Sequence, residues 1–182
     1  MAKQKNSQLD LIKTLLHDNC LAKGNDAKIL IEKDRNGKVI MQRPIIDGKI
    51  KYLLYRFDPD QIKMFPYLAD ESGLKKICDY ILFAEEGNNL HILLIELKHG
   101  TESARNQLIA SECFIDFIFK SAKRIGFEFA EKQYIKKIRV SEERAKKRNR
   151  KTKPGLITSD ENEILNYDHA DVFRIEEALD TL

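Results

Sequence analysis

Two neighbouring apolar runs carry charges where a strand core can least accommodate them. The first is Ile77-Cys78-Asp79-Tyr80-Ile81-Leu82-Phe83. The second is His91-Ile92-Leu93-Leu94-Ile95-Glu96-Leu97-Lys98. Both read as strands, and a charge buried in a strand this apolar is costly unless it pairs or binds a metal. Between them lies Ala84-Glu85-Glu86-Gly87-Asn88-Asn89. Gly-Asn is a favoured tight-hairpin pair, because both residues tolerate positive φ. A turn centred on Gly87-Asn88 sets Phe83 opposite Ile92 and Asp79 opposite Glu96. Opposed residues share one side of a sheet, with Cβ atoms about 4.5–5.5 Å apart, so the two carboxylates can share an ion. Lys98 lies two residues past Glu96, and strand alternation gives it the same face. A one-residue slip would send Asp79 to the other face, so the turn decides the site. Two acids and an ammonium in this register suit a hard divalent cation with a water beside a phosphate. The competing account of the same three residues is a buried ion-pair cluster with no ligand.

The length, 182 residues, fits one domain, 1–182, with a full core. No apolar run reaches membrane-span length, and Met1-Ala2-Lys3-Gln4-Lys5 leads into polar residues instead of a signal core. Cys20, Cys78 and Cys113 are scattered, odd in number and flanked by apolar residues. They read as buried free thiols of a cytoplasmic protein. The formal net charge of +3 is unevenly spread. Between residues 132 and 153, eleven basic residues face two acids, Glu142 and Glu143, which leaves the remainder acidic. That asymmetry points to a polyanionic partner. The nucleic-acid contacts expected from this stretch are Lys136, Lys137, Arg139, Arg144, Lys146, Lys147, Arg148, Arg150 and Lys151. Its plainer account is a solvated charged segment. Tyr134 is its one aromatic, so stacking on unpaired bases is not indicated.

Along the chain, Ser7 to Ala22 reads as a helix capped by Ser7, with Leu9, Ile12, Leu15 and Leu16 at helical spacing. Ala27–Glu32 and Lys38–Arg43 read as a hairpin around Asn36-Gly37, and Ile50–Phe57 as a strand. A short helix or irregular stretch over Gln61–Leu68 comes before the two charged strands. Thr101–Arg124 is the clearest helix, so apolar that little wet face is expected, and Gly126 ends it. Lys132–Val140 reads as a strand, Ser141–Pro154 as a charged segment, and Asp171–Ile175 as a last strand before a terminal helical turn.

The order helix, strands, Asp-bearing strand, Glu-x-Lys strand, crossing helix and strand resembles the PD-(D/E)xK nuclease superfamily, over about residues 74–140. Asp79 matches the first acid, Glu96 the second and Lys98 the lysine. Gln107 resembles a glutamine that several branches carry on the following helix, though Ser111 stands where an aromatic often follows. The literal Pro-Asp is absent, and Cys78 precedes Asp79. Pro59-Asp60 reads as a turn or helix start instead.

The resemblance implies an α/β fold, a mixed central β-sheet flanked by helices. Its restriction-endonuclease-like core would carry an N-terminal helix and a β-hairpin addition. It implies metal-dependent phosphodiester hydrolysis. Asp79 and Glu96, with the main-chain carbonyl of Leu97, would hold Mg²⁺ or Mn²⁺, ions that suit oxygen-only ligands. Lys98 would orient or deprotonate the attacking water, and Gln107 would hold the substrate or the lysine. A further acid from a preceding helix is common in the family, with Asp10, Asp70 and Glu71 as candidates. The expected substrate is DNA, with RNA open to the same chemistry, and endonuclease action is favoured over exonuclease. A homodimer would serve if both strands of a duplex are cut, with 27–58 available for substrate contacts or the dimer interface. The rival reading is a catalytically inactive nucleic-acid-binding module on the same fold. No zinc spacing, Gly-rich phosphate loop, Ser/His/Asp signature or dinucleotide fingerprint is present.

Overall fold

The computed structural model describes residues 7–57, 65–69, 71, 73–99, 103–129, 132–141, 163–167 and 171–180. In chain order they form α1 (Gln8–Leu15), a 3₁₀ turn (Gly24–Lys28), β1 (Ile29–Lys33), β2 (Val39–Ile46), β3 (Lys51–Arg56), β4 (Tyr80–Glu86) and β5 (Asn89–Lys98). Then come α2 (Arg105–Arg124), β6 (Gln133–Ser141), β7 (Ile164–Tyr167), β8 (Phe173–Arg174) and α3 (Ile175–Asp180). The class is mixed α/β, with two sheets. The larger runs β3-β4-β5-β6-β7 and the smaller β1-β2-β8. No helix among the described residues is long and apolar enough to cross a membrane.

The β4–β5 hairpin is the centre of the larger sheet, and its ladder has the register the turn predicts. Tyr80 pairs with Ile95 and Phe83 with Ile92. Gly87 turns the chain at φ 60°, a left-handed backbone that costs glycine nothing sterically. β3 adds antiparallel to β4, while β6 returns parallel to β5 after the α2 crossover. β7 then continues parallel beside β6. A parallel return requires a crossover of a dozen or more residues, and α2 supplies it.

Both faces of this sheet are covered, which is why β4 and β5 read as nearly continuous apolar runs. On one face α1 and α2 bury Ile81, Phe83, Ile92 and Leu94 against Ile12, Leu108 and Ile115. On the other, the small sheet and α3 bury Leu82, Leu93, Ile95 and Ile138 against Leu30, Met41, Phe173 and Leu179. Helices therefore flank the sheet on both sides, α1 and α2 on one and α3, together with the small sheet, on the other. The Asn36-Gly37 hairpin belongs to the covering layer, and the Tyr80 hydroxyl fastens it, donating to the Ile31 carbonyl and accepting from the Ile31 N–H, both at 3.0 Å.

Several expected elements differ. α1 stops at Leu15 instead of running to Ala22, because the chain after it pairs with the edge of β3. Ala22 N–H donates to the Leu54 carbonyl at 2.8 Å, and Arg56 N–H to that of Cys20 at 2.7 Å. α2 has a substantial wet face. Its buried stripe is Leu108, Ser111, Ile115, Ile118 and Ala122, while Ile109 and Phe117 face outward. Cys20 and Cys78 are buried as expected, but Cys113 is exposed on that outer face. β7 has no counterpart in the sequence reading. Residues 61–64 and all of 142–154 lie outside the described residues, and 65–68 form a turn and not a helix.

Candidate metal centre

Three backbone facts bring the charged trio together at one end of the larger sheet. β4 begins just after Asp79, β5 ends at Lys98, and strand alternation turns Asp79, Glu96 and Lys98 toward the α2 face. Asp79 Oδ2 accepts from Leu97 N–H at 2.8 Å, and Glu96 Oε2 accepts from Asp79 N–H at 3.1 Å. Each carboxylate thus holds the other's strand. Lys98 Nζ lies 2.7 Å from Glu96 Oε1, and both side chains are largely shielded, at 13% and 4% exposure.

The electrostatics reflect two acids in one poorly solvated place. Burial, and then the Asp79 charge, push the Glu96 carboxyl up to about 7, with Lys98 opposing. Asp79 is also raised by burial, against the Leu97 N–H and the charges of Lys98 and Arg56. A cation between the two would remove the mutual repulsion, so the donor set fits a hard divalent ion. Asp79 and Glu96 would hold it. The Leu97 carbonyl is available on the same side, since a strand residue in an antiparallel pair directs its N–H and C=O the same way. No group of three or more His, Cys, Asp or Glu side chains among the described residues is placed to hold a metal. Asp10 cannot supply the third acid. It is exposed in the first turn of α1, which is anchored at the far end of β4 by Ser7 Oγ donating to Glu85 Oε2 at 2.6 Å. Glu71 is exposed, and Asp70 lies outside the described residues.

Neighbouring strands extend the polar row. Arg139 on β6 stands beside Glu96, Ser141 beside Lys98, and Asn166 on β7 beside Arg139. Arg139 Nη1 donates to Asn166 Oδ1 at 3.4 Å. A cleft of about 420 Å³ opens at the same end of the sheet, on its other face, with Asp18, Lys23, Asp26, Arg56 and Tyr80 among its lining residues.

The remaining expected residues divide. Gln107 is half-buried in the first turn of α2, and its carbonyl accepts the Ser111 hydroxyl at 2.7 Å. Lys136 is a correction. It points away from solvent toward α3, where its Nζ donates to the Ala178 and Leu179 carbonyls, so it offers nothing to a phosphate. Lys137, on the opposite face, is bound 3.1 Å from Glu112 of α2. Arg144, Lys146, Lys147, Arg148, Arg150 and Lys151 lie outside the described residues. Sequence reasoning missed two residues of the site, Asn166 and Ser111. Asn166 left no signal, since its strand was not recognised. Ser111 did leave one, as the lone hydroxyl within a buried apolar stripe. Cys78, beside Asp79, is fully buried, and burial pushes its thiol up to about 12.

No protein-family model, curated protein or solved structure matches this chain.

Proposed function

We propose that this protein is a divalent-metal-dependent nuclease that hydrolyses phosphodiester bonds of DNA, with RNA as the second substrate class. The observation that carries the reading is the meeting of Asp79, Glu96 and Lys98 on one face, at the open ends of two paired strands. Two mutually repelling carboxylates are buried together, with Lys98 on Glu96 and the Arg56 charge acting on Asp79, and a cation between them would remove the repulsion that remains. The chain order around it supports a restriction-endonuclease-like core: α1, the antiparallel meander β3-β4-β5, the crossing α2 and the parallel β6.

Asp79 and Glu96, with the Leu97 carbonyl, would hold Mg²⁺ or Mn²⁺, and the ion would supply Lewis-acid activation of a water and charge neutralisation at the phosphoryl group. Lys98 keeps one Glu96 oxygen in place and directs its remaining protons toward the attacking water or a phosphate oxygen. Arg139, one strand over, presents a fixed positive charge to the flanking phosphate. The basic residues from Arg144 to Lys151 supply backbone affinity.

The test is cleavage of supercoiled, linear and single-stranded DNA, and of RNA, with Mg²⁺, Mn²⁺ or EDTA. Wild type should cut only with metal. Asp79→Ala, Glu96→Ala and Lys98→Ala should each lose at least about a hundredfold in rate, the scale of a general acid–base contribution. Unchanged activity in all three variants would refute the reading.

A further inference from the structure

The spacing of the two carboxylates depends on Asp79, which lies just outside the ladder of β4 and is tied to β5 through Leu97 N–H and the Glu96 carboxylate. It precedes the first ladder pair of β4, and β3 reaches it through one bond, Phe57 N–H to the Asp79 carbonyl at 3.3 Å. The residue before it, Cys78, is fully buried, and its N–H is met by α2: Ser111 Oγ accepts that hydrogen at 2.8 Å. The same hydroxyl donates to the Gln107 carbonyl at 2.7 Å, which fixes its rotor and aims its lone pair at Cys78. Ser111 is itself fully buried. The next residue, Glu112, makes a second attachment, to Lys137 of β6 at 3.1 Å. Two consecutive residues of α2 thus grip the segment that leads into β4 and strand β6, on either side of β5, the strand that bears Glu96 and Lys98.

We infer that Ser111 is a positioning residue: by holding Cys78 N–H it sets the distance between Asp79 and Glu96 and so tunes the site to a small cation. The inference rests on the metal-centre reading above and adds ion selectivity to it. Mg²⁺ demands near-ideal octahedral geometry with short bonds, whereas Ca²⁺ accepts more ligands, longer bonds and variable angles. Loosening Asp79 therefore harms the small ion far more than the large one. A residue that merely stabilises the fold would weaken both alike.

The experiment measures Mg²⁺ and Ca²⁺ affinity by calorimetry on wild type, Ser111→Ala, Ser111→Thr, Glu112→Gln and Glu96→Ala, with hydrogen exchange at the Cys78 amide. Ser111→Ala should weaken Mg²⁺ by about tenfold or more, as loss of an outer-shell partner does. It should leave Ca²⁺ within about threefold and speed Cys78 exchange. Ser111→Thr keeps the hydroxyl and should restore the wild-type ratio. Glu112→Gln breaks the other attachment without touching Cys78 and should hold that ratio too. Equal loss of both ions in Ser111→Ala, or no loss, overturns the inference and leaves the metal centre standing. A wild type with no binding that depends on Glu96 removes the metal centre itself, and the inference with it.

Discussion

The Glu96 carboxyl is the group of the trio whose proton affinity sets a sign for stability. Its folded affinity for a proton exceeds that of an unfolded glutamate, because burial and then Asp79 lift it to about 7. The folded state is therefore favoured by protonation between the ordinary glutamate range and about 7. That contribution disappears as pH rises through the window. In EDTA, the wild-type melting temperature should fall by several degrees from about pH 5 to pH 8 relative to Glu96→Gln, which keeps the shape and removes the titration. Saturating Mg²⁺ should erase the difference in slope, and its stabilisation should be larger at pH 8 than at pH 6, since ion and proton compete for the same oxygen. Parallel melting curves for the two proteins would show that Glu96 does not titrate there. At this scale the trio was legible because a strand allows only two side-chain directions and Gly87-Asn88 fixed which residues meet. Ser111 was not, because a hydroxyl on an apolar stripe does not announce which backbone N–H it will meet.

Lys136 shows how an element's surroundings override a charge pattern. In sequence Lys136-Lys137 looks like one basic patch, yet β6 is covered on both faces and sends the two amines in opposite directions. Lys136 meets the carbonyls at the end of α3, whose last turn has no basic residue of its own. Burial lowers its pKa, and the C-terminal carbonyls of a helix are the natural partners for a cation. Lys136→Met should cost about 1–3 kcal/mol of stability, the cost of leaving buried polar groups unmatched. It should leave nucleic-acid affinity and its salt dependence unchanged. A weaker complex with an intact fold would return Lys136 to the phosphate-binding surface. The short extent of α1 has the same origin. Leu15 and Leu16 continue the helical spacing, but backbone pairing of Cys20 and Ala22 along β3 satisfies an exposed sheet edge, a gain that local periodicity does not encode.

Across the whole molecule, the class and the central hairpin were readable, while the second layer was not. In β2 the buried Met41, Arg43 and Ile45 alternate with the exposed Gln42, Pro44 and Ile46, but residues of both faces are largely apolar, and the sequence does not say what lies beneath. The answer is the β4–β5 face opposite the Asp79–Glu96–Lys98 trio, so the small sheet buttresses those strands from behind and leaves 27–58 less surface for a partner than its sequence implied. On the nuclease reading, affinity for a polyanion is assigned to the segment after β6. The strand directs Arg139 and Ser141 toward the row that contains Glu96 and Lys98, and the chain leaves β6 at Ser141, beside Lys98. In sequence the cluster Lys146, Lys147 and Arg148 begins five residues after Ser141. Each phosphate neutralised releases counterions and contributes about 0.9 to the log–log salt slope for duplex DNA. Replacing all three by glutamine should therefore flatten that slope by up to about three and weaken binding without regard to sequence, while leaving Mg²⁺ affinity at wild-type level. An unchanged slope would mean that the charge asymmetry of this chain serves something other than a nucleic-acid backbone.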